Sequence, residues 1–450
     1  MVTDRLAGFL FYRTNHKSLV KISRSMQLIV KKSRLKGSIV IPASKSHTIR
    51  AVVIASLAEG TSDIRNPLIS GDTLSAVRCY RALGARIDTS DGSCWKVSGT
   101  AGLVRAPKET IDVGNSGTTL RLAMGSAGLA PPGTTTTFTG DEQIQMRPIG
   151  PLIDSLNELG AKCVSQKNNG KAPATVTGRL IGGKTSIAAF SSQYLTSLLL
   201  CTPLAGKDSV IDVPLLNEPG YVRMTLDWLN KQQIDYENRG LRQFTIKGGQ
   251  QYKAFHSSIP ADFSSATFFL CAAALVGDKV TLHGLDFADS QPDKAVCEYL
   301  HDMGADITVE KKSITVKAAS LKGIEIDMNA TPDALPAMAV VGAFAEGQTR
   351  LFNVPQARAK ETDRIKCMAE ELKKLGADVE ELPDGLIVKH SKLKPAALDG
   401  RGDHRIVMAL SLAGMAIDGA CTIDTAEAMN VTFPEYAKLM TNIGARLELK

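Results

Sequence analysis

The sequence predicts an α/β protein of two domains, because one pattern of helices and strands recurs six times along it. An apolar, alanine-rich helix pattern ends at a glycine and passes into a β-like run at Gly60, Gly133, Gly206, Gly277, Gly347 and Gly419. Successive glycines in this series are 73, 73, 71, 70 and 72 residues apart. Glycine adopts the left-handed conformation without strain, so we expect each of the six to end a helix in that conformation.

A second glycine marks a second helix pattern in five of the six repeats. It stands between an aliphatic residue and an alanine, ahead of another strand pattern, at Gly84, Gly160, Gly304, Gly376 and Gly444. In the third repeat, KQQIDY at residues 231–236 takes its place. Each repeat is therefore interpreted as strand, helix, strand, helix, strand, and a unit of this size cannot bury two helices by itself. We expect the six units to pack as two domains of three, with a cleft between them.

Two stretches, IVIPASKS at residues 39–46 and HSSIPADFSS at residues 256–265, are the predicted crossings between the domains. They assign residues 43–258 to one domain and residues 26–42 plus 259–450 to the other, with hinges near residues 42–45 and 258–262. Residues 1–25 precede Met26 and lack a long apolar segment. We interpret them as a flexible basic extension rather than a signal peptide, and a transit-like role stays open.

The composition predicts a soluble globular protein that does not bind nucleic acid. The 450 residues are 44% hydrophobic, which is enough for two buried cores, and no stretch resembles a membrane span. Residues 1–36 contain nine Lys or Arg against one Asp, so this segment carries +8 and the rest of the chain −1. Only 5% of residues are aromatic, and a basic stripe with interleaved aromatic residues, typical of nucleic-acid surfaces, is missing.

The spacing of cysteines and histidines predicts neither a disulfide framework nor a metal site. The eight cysteines are scattered without a CxxC pair, and the seven histidines show no HxxxH spacing. We therefore expect a reduced, cytoplasmic protein without a metal.

Polar clusters stand 13 to 15 residues before each glycine of the first series, where a helix should begin. They are ASKSHTIR (residues 43–50), GNSGTTLR (114–121), FSSQYLT (190–196), DFSSAT (262–267), TPDALP (331–336) and RGDHRIV (401–407). Helix capping alone explains any single cluster, but capping does not require the basic residues Lys45, Arg50, Arg121, His404 and Arg405. Several helix N-termini directed at one cleft and reinforced by cations would form a receptor for anions.

The segment RAKETDRIK at residues 358–366 divides into a surface part and a site part. The apolar positions that follow it define a helical stripe, and Lys366 lies on the opposite, solvated face. The same helical wheel, extended backwards, puts Glu361 within the apolar stripe and Arg364 at its edge. A carboxylate there needs partners.

The candidate receptor combines cations from these segments and from RPIG at residues 147–150. Its cations are Lys45, Arg50, Arg121, Arg147, Lys360, Arg364 and Arg405. The carboxylates Asp333 and Glu361 among them would weaken anion binding, so we expect them to transfer protons. The pattern suits a small substrate with about two anionic groups.

From about Gly37 to the C-terminus the sequence resembles the EPSP synthase family of enolpyruvyl transferases. The resemblance lies in SKSxxxR, GNSGTxxR, RPIG, SSQYLTSLL, PDA, KETDR and DHR, which occur in this order. It implies a two-domain inside-out α/β barrel with three βαβαββ repeats in each domain. It also implies transfer of the enolpyruvyl group of phosphoenolpyruvate to the 5-hydroxyl of shikimate 3-phosphate, releasing phosphate, in the shikimate pathway to chorismate and aromatic amino acids. The reaction would need no cofactor, metal or covalent enzyme intermediate, and the protein would be a cytoplasmic monomer.

The resemblance also implies site residues, with the shikimate-phosphate side on residues 43–258. Shikimate 3-phosphate would contact Lys45, Ser46, Arg50, Ser191, Ser192, Gln193, Tyr221, Asp333 and Lys360. Phosphoenolpyruvate would contact Lys45, Asn115, Gly117, Arg121, Arg147, Gln193, Arg364, His404 and Arg405. Asp333 would accept the hydroxyl proton, and Glu361, with Lys45 nearby, would manage the proton at C3.

Three positions depart from the family pattern, and two other functions compete. Val431 stands where a lysine is frequent, Gln356 where asparagine is common, and Glu218 near a usual serine. The first rival is the sister enzyme that uses UDP-N-acetylglucosamine, but its reactive cysteine is missing from GDEQIQM at residues 140–146. The second is a catalytically inactive anion-binding scaffold, which would not need carboxylates within a cation cluster.

Overall fold

The computed structural model describes residues 26–450, so the prediction for residues 1–25 lies outside the described residues. Within this range the chain forms 24 strands and 13 α-helices. The strands are β1 (Leu28–Lys31), β2 (Leu35–Val40), β3 (Thr61–Arg65), β4 (Arg86–Asp88), β5 (Cys94–Ser98), β6 (Ile111–Asp112), β7 (Thr135–Thr139), β8 (Lys162–Ser165), β9 (Ala174–Thr177), β10 (Gly183–Ala189), β11 (Ser209–Leu216), β12 (Tyr236–Arg239), β13 (Gln243–Ile246), β14 (His256–Ser258), β15 (Gly277–His283), β16 (Asp306–Val309), β17 (Ser313–Lys317), β18 (Glu325–Asp327), β19 (Gln348–Phe352), β20 (Asp378–Leu382), β21 (Gly385–Lys389), β22 (Ala397–Asp399), β23 (Ala420–Asp424) and β24 (Arg446–Leu449). The helices are α1 (Lys45–Leu57), α2 (Gly71–Ala82), α3 (Gly117–Ala127), α4 (Glu142–Met146), α5 (Gly150–Glu158), α6 (Ser192–Cys201), α7 (Pro219–Lys231), α8 (Phe263–Val276), α9 (Ala295–Asp302), α10 (Leu335–Phe344), α11 (Arg364–Lys374), α12 (His404–Ala416) and α13 (Tyr436–Asn442).

The strands of residues 26–450 form six four-stranded sheets, one for each predicted repeat. In each sheet a parallel pair is followed by antiparallel strands, as in β6–β7–β9–β8. In the four sheets whose parallel strands are consecutive in sequence, a helix joins them, because such a pair needs a crossover connection. The six repeats are confirmed; the residue pattern alone predicted three strands in each, one short of the four observed, whereas the βαβαββ repeat that the resemblance implies has all four. Strands as short as β6 and β22 show too little alternation to be recognised in a sequence.

Three of the six sheets are completed by strands that lie far away in the sequence. Strand β1 lies between β23 and β24, β2 pairs with β15, and β14 pairs with β3. The two segments that cross between the sets hydrogen-bond to each other, since Ser44 N–H donates to Pro260 O at 2.8 Å and Asp262 N–H to Pro42 O at 2.9 Å.

Buried apolar residues form two separate cores. One core uses residues between 43 and 259, and the other uses residues 28–41 and 261–445. In the second core α8, α10 and α12 pack on one another, and almost every residue of α8 and α12 is buried. These three helices therefore lie inside this core, with sheets around them. The domain boundaries and hinges stay predictions. Among the described residues no helix is long and apolar enough to cross a bilayer.

The glycine prediction is correct in conformation for four members of the first series and wrong for two, and it is wrong about position, because the four lie three to six residues beyond the last helical residue. Gly60, Gly133, Gly347 and Gly419 have φ of 92°, 78°, 84° and 112°. Gly206 is absent from the positive-φ residues, and Gly277 has φ of −81° because it already opens strand β15. In the third repeat Gln233, with φ of 57°, takes the position of the missing second glycine.

The polar clusters do precede helices, with Ser44, Ser116, Ser191, Asp262 and Asp403 as side-chain caps. One helical interpretation is wrong. Helix α11 begins at Arg364, so Glu361 lies in the preceding loop and not on the apolar stripe of the helix.

Candidate active site

Side chains from both cores meet in one narrow pocket of about 30 Å³. Its walls come from the starts of α1, α3, α6 and α7 on one side, and from the segments before α10 and α11 on the other. The lining residues are Lys45, Ser46, Arg50, Thr118, Leu122, Ser192, Gln193, Thr196, Glu218, Tyr221, Asp333 and Lys360. Every predicted shikimate-phosphate residue except Ser191 is in this set, and Ser191 caps the adjoining helix α6. The predicted residues of that group are thus neighbours in space.

Asp333 lies on a single 3₁₀ turn, Pro332–Ala334, just before α10. Its Oδ1 accepts a hydrogen bond from Nη1 of Arg364 at 2.7 Å, and its Oδ2 lies 3.1 Å from Nη2 of Arg405. Burial alone would raise the pKa of Asp333, but Arg405, Lys360 and Arg364 together hold it well below its usual range. The carboxylate is therefore ionised at neutral pH.

Arg364 joins three carboxylates at the start of α11. Besides Asp333 it binds Oε2 of Glu361 at 2.5 Å and both oxygens of Asp403 at 2.8 and 3.1 Å. Burial opposes the charged form, but Asp403 and Glu361 raise the pKa of Arg364 further above its ordinary value. Asp403 lies in the DHR motif, but the sequence predicts no role for it beyond capping a helix.

Arg121 and Arg147 lie side by side over Gly117, the first residue of α3. A Cβ at Gly117 would lie 2.5 Å from Nη1 of Arg147 and 2.8 Å from Nη1 of Arg121, so only glycine permits this approach. Burial, and then the neighbouring Arg147, lowers the pKa of Arg121 to about 10. Arg121 donates to Oε1 of Gln193 at 2.8 Å, and Arg147 donates to Oε1 of Glu361 at 3.1 Å. The two arginines form a positively charged patch that suits an anion.

Arg50 and Tyr221 form the floor of the pocket beside α7. Arg50 donates to Thr225 Oγ1 at 2.9 Å and to the Tyr221 carbonyl at 3.1 Å, and burial lowers its pKa to about 10. The Tyr221 hydroxyl donates to Oδ2 of Asp293 at 2.7 Å. Burial, followed by repulsion from Asp333, raises the pKa of Asp293 to about 7. Sequence reasoning did not identify Asp293.

Lys45 opens α1 and pairs with Asp72 at the start of α2, with 3.2 Å between Nζ and Oδ2. Asp72 is buried, and this burial raises its pKa. The sequence around Asp72, SGDT, predicts only an ordinary helix cap and indicates no role in the site.

Lys360 reaches from the second core to Glu218 in the first. Its Nζ contacts Oε1 of Glu218, and it also lies 3.9 Å from Oδ1 of Asp333. Oε2 of Glu218 accepts hydrogen bonds from the hydroxyl and the N–H of Ser192 at 2.5 and 3.2 Å. Glu218 is therefore part of the pocket wall.

Four other positions qualify the predicted set. The side-chain amide of Asn115 donates to Asp141 and to Gln143, each at 2.7 Å, so it is committed within its own loop. His404 is buried, which lowers its pKa to about 3 and keeps the imidazole neutral. Val431 lies against Gly71, at the start of α2. Gln356 donates to the Asn329 carbonyl at 3.0 Å.

The site contains cations, carboxylates and hydroxyls, and among residues 26–450 no cluster of His, Cys, Asp or Glu is arranged to hold a metal. This arrangement can bind anions and move protons.

The family model described as EPSP synthase (3-phosphoshikimate 1-carboxyvinyltransferase) matches residues 29–440. The 3-phosphoshikimate 1-carboxyvinyltransferase of Acetivibrio thermocellus is 53% identical over 420 residues, which are 93% of this chain and 99% of that protein. The protein of the same name from Ruminiclostridium cellulolyticum is 51% identical over 424 residues, 94% of this chain and 100% of that protein. The structure of EPSP synthase from Acinetobacter baumannii is similar with a TM-score of 0.80 and 28% identity, covering 95% of this chain and 100% of that one. The predicted resemblance and the inside-out α/β fold are thereby confirmed.

Proposed function

The chain belongs to the EPSP synthase family, and we propose that Asp333, Glu361 and Lys45 move the protons of its reaction. The reaction transfers the enolpyruvyl group of phosphoenolpyruvate to the 5-hydroxyl of shikimate 3-phosphate and releases phosphate. One observation carries the assignment. Partly buried carboxylates of one half, Asp333 and Glu361, lie within hydrogen-bond distance of the arginines that suit the two anionic substrates.

In the addition step, the shikimate hydroxyl oxygen bonds to C2 of phosphoenolpyruvate while C3 receives a proton. Asp333 accepts the hydroxyl proton, and Glu361, with Lys45 close by, takes up a proton when the substrate anions bind and delivers it to C3. In the elimination step, C3 returns a proton, the C2–C3 double bond re-forms, and the C2–O bond to phosphate breaks. Acid–base groups of this kind contribute about 10² to 10⁴ in rate each.

Binding of the substrates should make Asp333 a better base. Burial raises the pKa of Asp333, but Arg405 and Arg364 lower it further than burial raises it as long as they bind its two oxygens. When anionic substrate groups take over these guanidinium groups, the net positive potential at Asp333 falls and its pKa rises. Basicity would thus appear when both substrates are in place.

The cations divide the remaining work. Arg121 and Arg147, which converge over Gly117, suit phosphoenolpyruvate, and Arg50 with Ser192 suits shikimate 3-phosphate. Guanidinium groups in a buried site stabilise charge that moves onto the leaving phosphate, because little solvent must reorganise.

The substrates require the two halves to separate. The pocket of about 30 Å³ is far below the ~300–1,000 Å³ of pockets that bury small ligands. Arg147–Glu361 and Lys360–Glu218 link the halves across it. We infer opening about the crossings near residues 42–45 and 258–262, followed by closure that excludes water.

We further propose a monomer in the cytoplasm that binds no nucleic acid. One chain supplies every wall of the pocket, so the site needs no second copy. The eight cysteines are free, as suits a reducing compartment. Residues 37–450 carry a net charge of −1, so the body of the protein lacks the net positive charge that is typical of nucleic-acid binders.

Phosphate release tests the reaction and its rivals together. The expected result is release with phosphoenolpyruvate plus shikimate 3-phosphate and none with phosphoenolpyruvate plus UDP-N-acetylglucosamine. Release only with the UDP-sugar would support the sister activity, and no release with either would support the scaffold.

Variants test the residue roles. Asp333→Asn, Glu361→Gln and Lys45→Met should each lower kcat more than ~10² while the far-UV spectrum stays that of the folded parent. Glu370→Gln is the matched control, because Glu370 lies on the outer face of α11 and pairs with Arg401 at 2.9 Å. A drop below about tenfold at Asp333 or Lys45 would contradict the proposal.

A further inference from the structure

Glu218 places a buried carboxylate on donors that the proposed function assigns to shikimate 3-phosphate. Only 1% of the residue is exposed. Its Oε2 accepts the hydroxyl of Ser192 at 2.5 Å and the N–H of Ser192 at 3.2 Å, and its Oε1 accepts the ammonium group of Lys360. These donors are a helix N-terminus, a hydroxyl and a cation, which is a typical set for an anionic group.

The backbone directs this side chain inward at a cost. Glu218 has φ of 58° and ψ of 48°, a left-handed conformation that is strained for a residue with a Cβ. The conformation is held by Asn329, whose Oδ1 accepts the Glu218 N–H at 3.2 Å and whose Nδ2 donates to Oδ1 of Asn217 at 3.0 Å. Such a conformation persists only where the surroundings fix it. The backbone and its hydrogen bonds therefore hold the Glu218 carboxylate inside the pocket.

A carboxylate and a phosphate cannot share these donors. The Ser192 N–H and hydroxyl each have one hydrogen, and both bond to Oε2 of Glu218. A substrate phosphate carries about −1.5 to −2 and would meet a like charge at hydrogen-bond range. Either the glutamate leaves or the phosphate stays out.

We propose that Glu218 is an internal competitor of shikimate 3-phosphate, which must displace its carboxylate from Ser192 and Lys360 before binding. This inference rests on the proposed function, because that function assigns Ser192 and Lys360 to the substrate. Glu218 thereby sets the affinity of this chain for shikimate 3-phosphate. Lys360 belongs to the opposite half, so the displacement also breaks a bond that holds the cleft closed.

Two variants test the competition. Glu218→Gln keeps the size of the side chain and an oxygen for the Ser192 hydroxyl but removes the charge. Glu218→Gly removes the side chain, and glycine accepts the left-handed conformation without strain, so the fold is expected to persist. Calorimetric titration of shikimate 3-phosphate without phosphoenolpyruvate should show a Kd about tenfold lower in both variants. About tenfold is the smallest effect expected, because the substrate no longer has to displace hydrogen bonds made by a charged carboxylate. The KM of phosphoenolpyruvate should change little.

Glu158→Gln is the matched control. Glu158 also accepts a hydroxyl and an N–H, from Thr185 at 2.6 Å and Ser186 at 3.4 Å, but it is exposed and outside the pocket. Its Kd should equal that of the parent. An unchanged or higher Kd in Glu218→Gln and Glu218→Gly would overturn the competition, and a higher Kd with a lower kcat would instead make Glu218 a positioning residue for Lys360. Both results leave the proposed function standing, whereas a parent protein that does not bind shikimate 3-phosphate would remove its basis.

Discussion

Alanine at position 117 tests whether Arg121 and Arg147 bind phosphoenolpyruvate as a pair. The added Cβ would lie 2.5 Å from Nη1 of Arg147, whereas ordinary van der Waals contact begins at 3.4 Å. The Arg147 guanidinium must therefore retreat by about 0.9 Å, the difference between the two distances. Arg121 must also move, because its Nη1 would lie 2.8 Å from the same atom.

The size of the effect follows from the contacts that this movement disturbs. Arg147 loses its fit to the substrate anion and its 3.1 Å bond to Glu361. A hydrogen bond to a charged group is worth about 1.5–3 kcal/mol. At 1.36 kcal/mol for each factor of ten, the KM of phosphoenolpyruvate should rise about 10- to 150-fold. The KM of shikimate 3-phosphate should change much less, because Arg50 and Ser192 do not touch position 117.

Steady-state phosphate release at saturating shikimate 3-phosphate measures this KM. The control is Gly150→Ala, because Gly150 is likewise the first residue of a helix, α5, and its nearest neighbour to a new Cβ is 3.9 Å away. Equal KM values for Gly117→Ala and Gly150→Ala would refute the role of the arginine pair.

Three further substitutions test the electrostatics of the site. Arg364→Met leaves buried carboxylates without their cation and should destabilise the protein to denaturant by about 3–5 kcal/mol, whereas a loss below about 1 kcal/mol would contradict the network. Asp293→Asn should flatten the pH dependence of stability, because a pKa raised to about 7 gives the parent stability below about pH 4 that is lost, by up to about 1.4 kcal/mol per unit, as the pH rises to 7. Denaturant unfolding at both ends of that window gives the free energy of unfolding of the parent minus that of the variant, and this value should be more positive at the acidic end. Equal values at the two ends would contradict the assignment. Adding Asp72→Asn to the Lys45→Met variant should restore part of the thermal stability lost in Lys45→Met, because it removes the carboxylate that the loss of Lys45 leaves unpaired. It should not restore turnover. Independent, additive effects on the melting temperature would contradict the pairing.

The repeats could be predicted because the physics of helix ends is local. A glycine after a helix and a polar cap before it are set by a few neighbouring residues, so their spacing showed six units before any contact was known. Gly277 misled the pattern because strand geometry begins directly after α8 without a left-handed residue, whereas Gly206 lacks a positive φ although β11 begins only at Ser209.

The candidate site could be predicted only where its residues carry a charge that capping does not need. Lys45, Arg121 and Arg405 were found in this way, but Asp72 was not, because a carboxylate at a helix start has an ordinary explanation. The inward position of Glu361 follows from a loop that ends at Arg364, and a helical wheel cannot describe a loop. Glu218 was noted only as a departure, since its pairing with Lys360 joins two halves of the chain separated by 142 positions.

The charge balance of the site connects binding with catalysis. Among the described residues, the seven cations of the receptor face the carboxyl groups of Asp72, Glu218, Asp333, Glu361 and Asp403, so cationic side chains outnumber carboxyl groups by two. Each substrate carries a carboxylate and a phosphate, which together exceed this surplus. Binding therefore turns the potential negative, which favours protonation of Asp333 and Glu361 just when protons must move. On the proposed roles, a site with the arginines alone would bind both anions more tightly but would have no group to take the hydroxyl proton, so Asp333 and Glu361 lower affinity but supply the acid–base groups.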